Sequence, residues 1–229
     1  MTGVLINAGT IIAGSLAGLI LRRGLSDRMR KTLMQALGLC VIMIGICGAV
    51  GTKDTLCVIV CMVIGTVTGT AINIEKQLDR LGKFAERKLA GNGEQSVAKG
   101  FVTASLIFCV GAMAIVGSLE SGLKGDHSTI VSKAIIDGVT SMILAGTMGI
   151  GVILSAAAVF VYQGLIVMLA GVLAPVLTDA VINEMSATGG LLIVGIGLNM
   201  LFEDKHFAVG NMLPAIFLPM AYIPLTGLF

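Results

Sequence analysis

The residues able to do chemistry in this chain are concentrated between Gly111 and Gly151, inside otherwise apolar sequence. There Lys133, Asp137 and Ser141 recur at every fourth position and Thr140 follows Asp137, which on a helix makes one polar stripe. A carboxylate one turn from an amine, with hydroxyls beside it, suits reversible protonation and the binding of a small ion or polar solute. Ionisable groups inside a membrane segment cost about 2.5–3.5 kcal/mol each, so they face a bundle interior or a water-filled cavity. Asn7, Gln163 and Asn199 lie in other apolar stretches, and Asn211 precedes the first break of the last one. The candidate substrate- or ion-binding set is therefore Asp137, Lys133, Ser141, Thr140, Asn7, Gln163, Asn199 and Asn211. Glu120, Asp126 and His127 are expected at an outer mouth, where His127 could sense pH, although a single loop histidine is ordinarily just solvated.

Other chemistries lack their parts. The sequence has no His-x-x-x-His pair, no Gly-x-Ser-x-Gly elbow and no Walker-type loop. Cys40, Cys47, Cys57, Cys61 and Cys109 all sit in apolar runs without metal-ligand spacing and are expected to pack. No enzyme activity, catalytic residue, metal or cofactor is expected, and no nucleic-acid partner follows from a net charge of +2.

Composition states what must position these groups. The chain is 56% hydrophobic and 12% charged, with mean hydropathy +1.00, against about 25% charged in soluble domains. The fold class is all-α, a polytopic transmembrane helical bundle of about seven to eight spans. The first span is 4–21, and the cluster Arg22, Arg23, Arg28, Arg30 and Lys31 after it places that loop inside and the N-terminus outside. Spans 33–50 and 56–74 follow. Glu75 to Lys99 alternates apolar and basic positions at helical spacing, as an amphipathic helix on the cytoplasmic leaflet does. Phe101 to Leu119 is the fourth span. Ile130 to Gly146 is expected to cross, because that leaves the cation-free loop 174–185 outside, though its length also fits a re-entrant half-helix. Segments 149–173, 188–202 and 207–228 complete the set, the last interrupted by Pro214, Pro219 and Pro224. Small-residue faces such as Gly14 with Gly18 and Gly65 with Gly69 fit close helix packing, within the chain or between copies of a homodimer or larger homo-oligomer.

An internal repeat adds a constraint. Leu25 to Gly48 laid on Leu177 to Met200 matches Asp27 with Asp179, Gly38 with Gly190, Leu39 with Leu191, Ile44 with Ile196 and Gly45 with Gly197. The loop before the first copy is strongly basic and its counterpart has no cation, as inverted copies would require. The expected organisation is a three-span repeat (1–74), a cytoplasmic linker helix (75–99), a central polar unit (100–148) and a second three-span repeat (149–229).

The opening GVLINAGTIIAGSLAGLILRRGLSDRMRKTLMQALGLCVIMIGICGA, the central GSLESGLKGDHSTIVSKAIIDGVTSMILAGTMGIGV and the later VYQG and GGLLIVGIGLNML resemble domain of unknown function 554, the YdfK/YqgA-like membrane proteins. The resemblance covers the whole chain. It implies a multi-span protein of the prokaryotic inner membrane, sometimes labelled a transporter, and supplies no catalytic residues. Two functions are expected from the residues: a secondary transporter or channel using the Asp137/Lys133 pair, or a non-transporting scaffold or stress-related factor whose basic helix binds lipid or a partner.

Overall fold

A computed structural model describes residues 1–22, 24, 26–78, 80, 97–202 and 207–226. Most of the expected amphipathic helix, and the turn 203–206, lie outside the described residues. The described chain is helical with no strand, as a bilayer-spanning backbone must be when it satisfies its own hydrogen bonds. Among the described residues seven helical segments are long and apolar enough to cross a membrane, and eight if one bent pair counts as a span.

The chain forms two compact units. The first, residues 1–33, 78–109 and 113–173, holds α1 (Thr2–Arg22), α4 (Val97–Cys109), α5 (Ala112–Leu123), α6 (Ser128–Met148), α7 (Gly151–Met168) and the short α8 (Ala170–Leu173). Helices α1 and α6 run parallel and nearly touch. A Cβ added at Gly3 would meet Ile130, one at Gly14 would stand 2.1 Å from the Gly138 carbonyl oxygen, and one at Gly18 2.1 Å from that of Met142. The Gly14 and Gly18 face offered for packing between copies is thus used inside the chain. Its partner α6 has 21 residues and follows α1 throughout, so this segment has the dimensions of a full crossing and not of a half-helix. Helix α7 lies against both α1 and α4, where Gly151 admits the Val97 carbonyl.

The fourth span departs from expectation. Phe101 to Leu119, expected as one span, falls on two helices, α4 and α5, that meet at a 62° bend. Gly111, between them, has φ +129°, a conformation that side chains disfavour and glycine takes freely.

The second unit, residues 34–77, 110–112 and 174–229, holds α2 (Asp27–Ala49, its first residues belonging to the other unit), α3 (Thr55–Ile72), α9 (Asp179–Leu201), a 3-10 segment (Val209–Ile216) and α10 (Pro219–Thr226). Pro214 and Pro224 fall inside the last two, so the final segment is broken as its prolines predict. Helices α2 and α9 are repeat copies of 23 residues each, starting at the matched Asp27 and Asp179. They pack antiparallel through glycines, and the pairing is exchanged: Gly38 faces Gly197, while Gly45 faces Gly190. Because Gly38 matches Gly190 and Gly45 matches Gly197 in the repeat, each contact is the counterpart of the other, as a two-fold axis between inverted copies requires.

Carrying the same offset outward lays α1 on α7 and α3 on the proline-broken final segment. These counterparts also pack together: α1 against α7, and α3 against the 3-10 segment, where Gly65 meets Ala215 and Gly69 meets the Asn211 carbonyl. Packing between counterparts therefore divides residues 1–74, giving α1 to one compact unit and α2 and α3 mostly to the other.

Candidate functional site

Helix α6 places Lys133 and Asp137 one turn apart on its buried face, 6% and 5% exposed. Lys133 Nζ donates to Asp137 Oδ2. Asn7 of α1 donates through the two hydrogens of its Nδ2, to Asp137 Oδ2 at 3.1 Å and to Gln163 Oε1 of α7 at 3.1 Å. The aromatic face of Phe108, near the end of α4, lies 6.0 Å from the ammonium, within reach of a cation–π attraction. Four helices of the first unit thus meet at one polar cluster, in which Asn7 and Gln163 are fully buried.

The hydrogen-bond roles in this cluster are forced by the carboxylate. An ionised Asp137 only accepts, so Asn7 must turn its amino group towards it, and Gln163 must then turn its oxygen towards Asn7. Asn7 Oδ1 and Gln163 Nε2 remain, both buried and both without a partner.

Other expected site residues go elsewhere. Ser141 Oγ donates to the backbone oxygens of Ile11 at 3.1 Å and Gly138 at 2.8 Å, tying α6 to α1. Thr140 is half-buried. Asn199 and Asn211 belong to the second unit and hold backbone: Asn199 Nδ2 donates to the Phe207 oxygen at 2.8 Å, and Asn211 Oδ1 accepts from the Glu75 N–H at 2.8 Å. Glu120, Asp126 and His127 shape the turn between α5 and α6. Thr129 Oγ1 donates to Glu120 at 2.7 Å, and His127 Nδ1 and Ser121 Oγ share a hydrogen bond of 2.8 Å. The Ser128 N–H reaches Asp126 at 2.9 Å and holds its carboxyl below the usual range. At 1.5 Å per residue this turn stands about 15 Å along α6 from Asp137.

Glu184 was missed as a buried group because its segment was assigned to an external loop. It lies in α9, 3% exposed, accepting from Thr52 Oγ1, from the Lys53 N–H at 2.8 Å and from Asn183 at 3.0 Å. A cavity of about 520 Å³ opens beside it, lined by Lys53, Asp54, Asp179 and Asn183 among others. The sequence signal was present: Thr178 with Val181 makes an N-cap that starts the helix before Glu184. Among the described residues, no group of three or more His, Cys, Asp or Glu side chains could hold a metal ion.

Fold and cluster together define a polytopic, all-helical membrane protein with a polar site buried among its helices. Residues 2–223 match the family model described as protein of unknown function DUF554, and the chain belongs to that family. It is 35% identical over 228 residues to the uncharacterized membrane protein YdfK of Bacillus subtilis (strain 168), covering 97% of this chain and 96% of that protein. It is 28% identical over 225 residues to the uncharacterized protein YqgA of Escherichia coli (strain K12), covering 95% and 94%. No solved structure matches the chain.

Proposed function

We propose that this protein is a secondary transporter or channel for a small ion or polar solute, with Asn7, Lys133, Asp137 and Gln163 as its binding or coupling site. The observation carrying this is where the cluster lies: Asn7 and Gln163 join α1 to α7, counterparts in the inverted repeat, and the inserted α6 adds the ionisable pair. Solute and ion sites of inverted-repeat transporters are built at such repeat interfaces, with discontinuous helices beside them. Here the discontinuous span is α4–α5, and Phe108 near the end of α4 faces Lys133. A purely structural role explains the pair less well. Both members stand on α6, so the ion pair by itself joins no two helices.

In this proposal Asp137 takes and releases a proton or ligand, Lys133 tunes it, and the two repeats exchange roles to open the site to either side. The chain resides in a prokaryotic cytoplasmic membrane with its N-terminus outside, because the five cations following α1 belong inside. Exposed Ala180 is then external. An Ala180→Cys substitution in a cysteine-free background should react with a membrane-impermeant maleimide added to intact cells. Labelling only after lysis would reverse the orientation.

Function is tested in proteoliposomes with three probes: internal pyranine for protons, radioactive sodium, and stopped-flow reswelling in glycerol. At least one flux should exceed that of protein-free vesicles and fall about tenfold or more in a monodisperse Asp137→Asn variant, the effect of losing the charge that Lys133 pairs with. Fluxes at the protein-free level, or indifferent to Asp137→Asn, would remove the transport proposal and favour a scaffold.

A further inference from the structure

Resting on that proposal, and narrowing it, we infer that the cluster takes an uncharged solute carrying both a hydrogen-bond donor and an acceptor, such as a small hydroxyl, urea or carboxamide compound. Two observations lead there. First, the charges already cancel locally: Asp137 Oδ2 receives Lys133 Nζ and Asn7 Nδ2 together. A cation approaching that carboxylate meets the ammonium, and an anion approaching the ammonium meets the carboxylate. Neither gains the unopposed partner that makes buried ion binding favourable. No further His, Cys, Asp or Glu grouping among the described residues supplies a cage for a metal ion.

Second, the unmet demand in the cluster is for hydrogen bonds. Asn7 Oδ1 is an acceptor without a donor, Gln163 Nε2 is a donor without an acceptor, and both residues are fully buried. Buried polar atoms are nearly always satisfied, so an unpaired acceptor and donor in one cluster point to a guest. While Asp137 is ionised their identities are fixed, as the chain of bonds from carboxylate to Asn7 to Gln163 leaves no alternative orientation. The guest therefore gives a hydrogen to Asn7 and accepts one from Gln163. A hydroxyl or an amide does both, and an alkali cation or halide does only one. Apolar Phe108, fully buried beside Lys133, favours a small guest of modest polarity over a heavily hydrated one.

The wild-type protein tests this without any substitution. Proteoliposomes are given inward gradients of glycerol, urea and acetamide and followed by light scattering, while parallel samples receive potassium, sodium and chloride gradients under a voltage-sensitive dye. At least one neutral probe should enter faster than into protein-free vesicles, and the ion gradients should produce no protein-dependent potential. Gln163→Met, which keeps the length of the side chain but removes the Nε2 donor together with the Oε1 that accepts from Asn7, should slow that neutral probe about tenfold or more, the worth of one or two hydrogen bonds in a desolvated site. Ion movement dependent on Gln163, without neutral flux, would overturn this inference while leaving the transport proposal standing. No flux of either kind, with a resident water as the sole occupant, would overturn both.

Discussion

Lys133→Met is expected to destabilise the protein by about 3–5 kcal/mol, because it strands the Asp137 carboxylate in the interior of the first unit. The effect comes from the burial of the survivor, not from the strength of the lost bond. Accordingly the double variant Lys133→Met/Asp137→Asn should recover all but about 1–2 kcal/mol, since an amide at 137 still accepts from Asn7 and carries no charge. Reversible unfolding in mixed micelles measures both. This pair of variants separates the two roles of the site: a double variant that folds normally yet has lost flux shows that the ionisable pair serves more than packing. A single variant as stable as the wild type would mean that the carboxylate is not held as the geometry has it.

A comparable loss is expected from Gly14→Leu. The first side-chain carbon alone would stand 2.1 Å from the Gly138 oxygen and 2.4 Å from Ser141 Oγ, and the obstructing oxygen is backbone that no rotamer change can move. Overpacking of this kind costs about 1–3 kcal/mol where neighbours can adjust, and more where a helix must shift bodily. Gly9, on the same helix, has open space around its Cβ position, so Gly9→Ala should be neutral or gain up to about 1 kcal/mol from helix propensity. Because α1 carries Asn7 and α6 carries Asp137, parting them at Gly14 should also weaken any flux through the cluster. Equal melting temperatures for Gly14→Leu and Gly9→Ala would contradict the close approach of the two helices.

Periodicity and composition made much of this legible. The Lys133–Asp137–Ser141 stripe is buried as its spacing requires, since a carboxylate and an amine on an apolar helix have nowhere cheaper to face. Asn7 and Gln163 stood out as amides in apolar runs, and both converge on Asp137 or its neighbour. Asn199 and Asn211 carried the same signal and instead tie backbone in the other unit, because an amide serves a helix end as well as a ligand. The break at Gly111 was hidden among 31 glycines, most of which need no special conformation. The repeat was visible from matched glycines, but the exchange of Gly38 and Gly45 partners belongs to three-dimensional packing and has no trace in one dimension. Glu184 is hidden in the sequence because 174–185 reads as an external loop, whereas its helix starts at Asp179 and the turn at Thr52 and Lys53 folds over it.

The most direct measurement is a high-resolution experimental map of the protein in lipid nanodiscs, inspected at Asn7 and Gln163. The proposal predicts ordered density within hydrogen-bond distance of Asn7 Oδ1 and Gln163 Nε2, joined by water to at least one aqueous face. A dry cluster, with both atoms packed against apolar groups and closed to both faces, would contradict it.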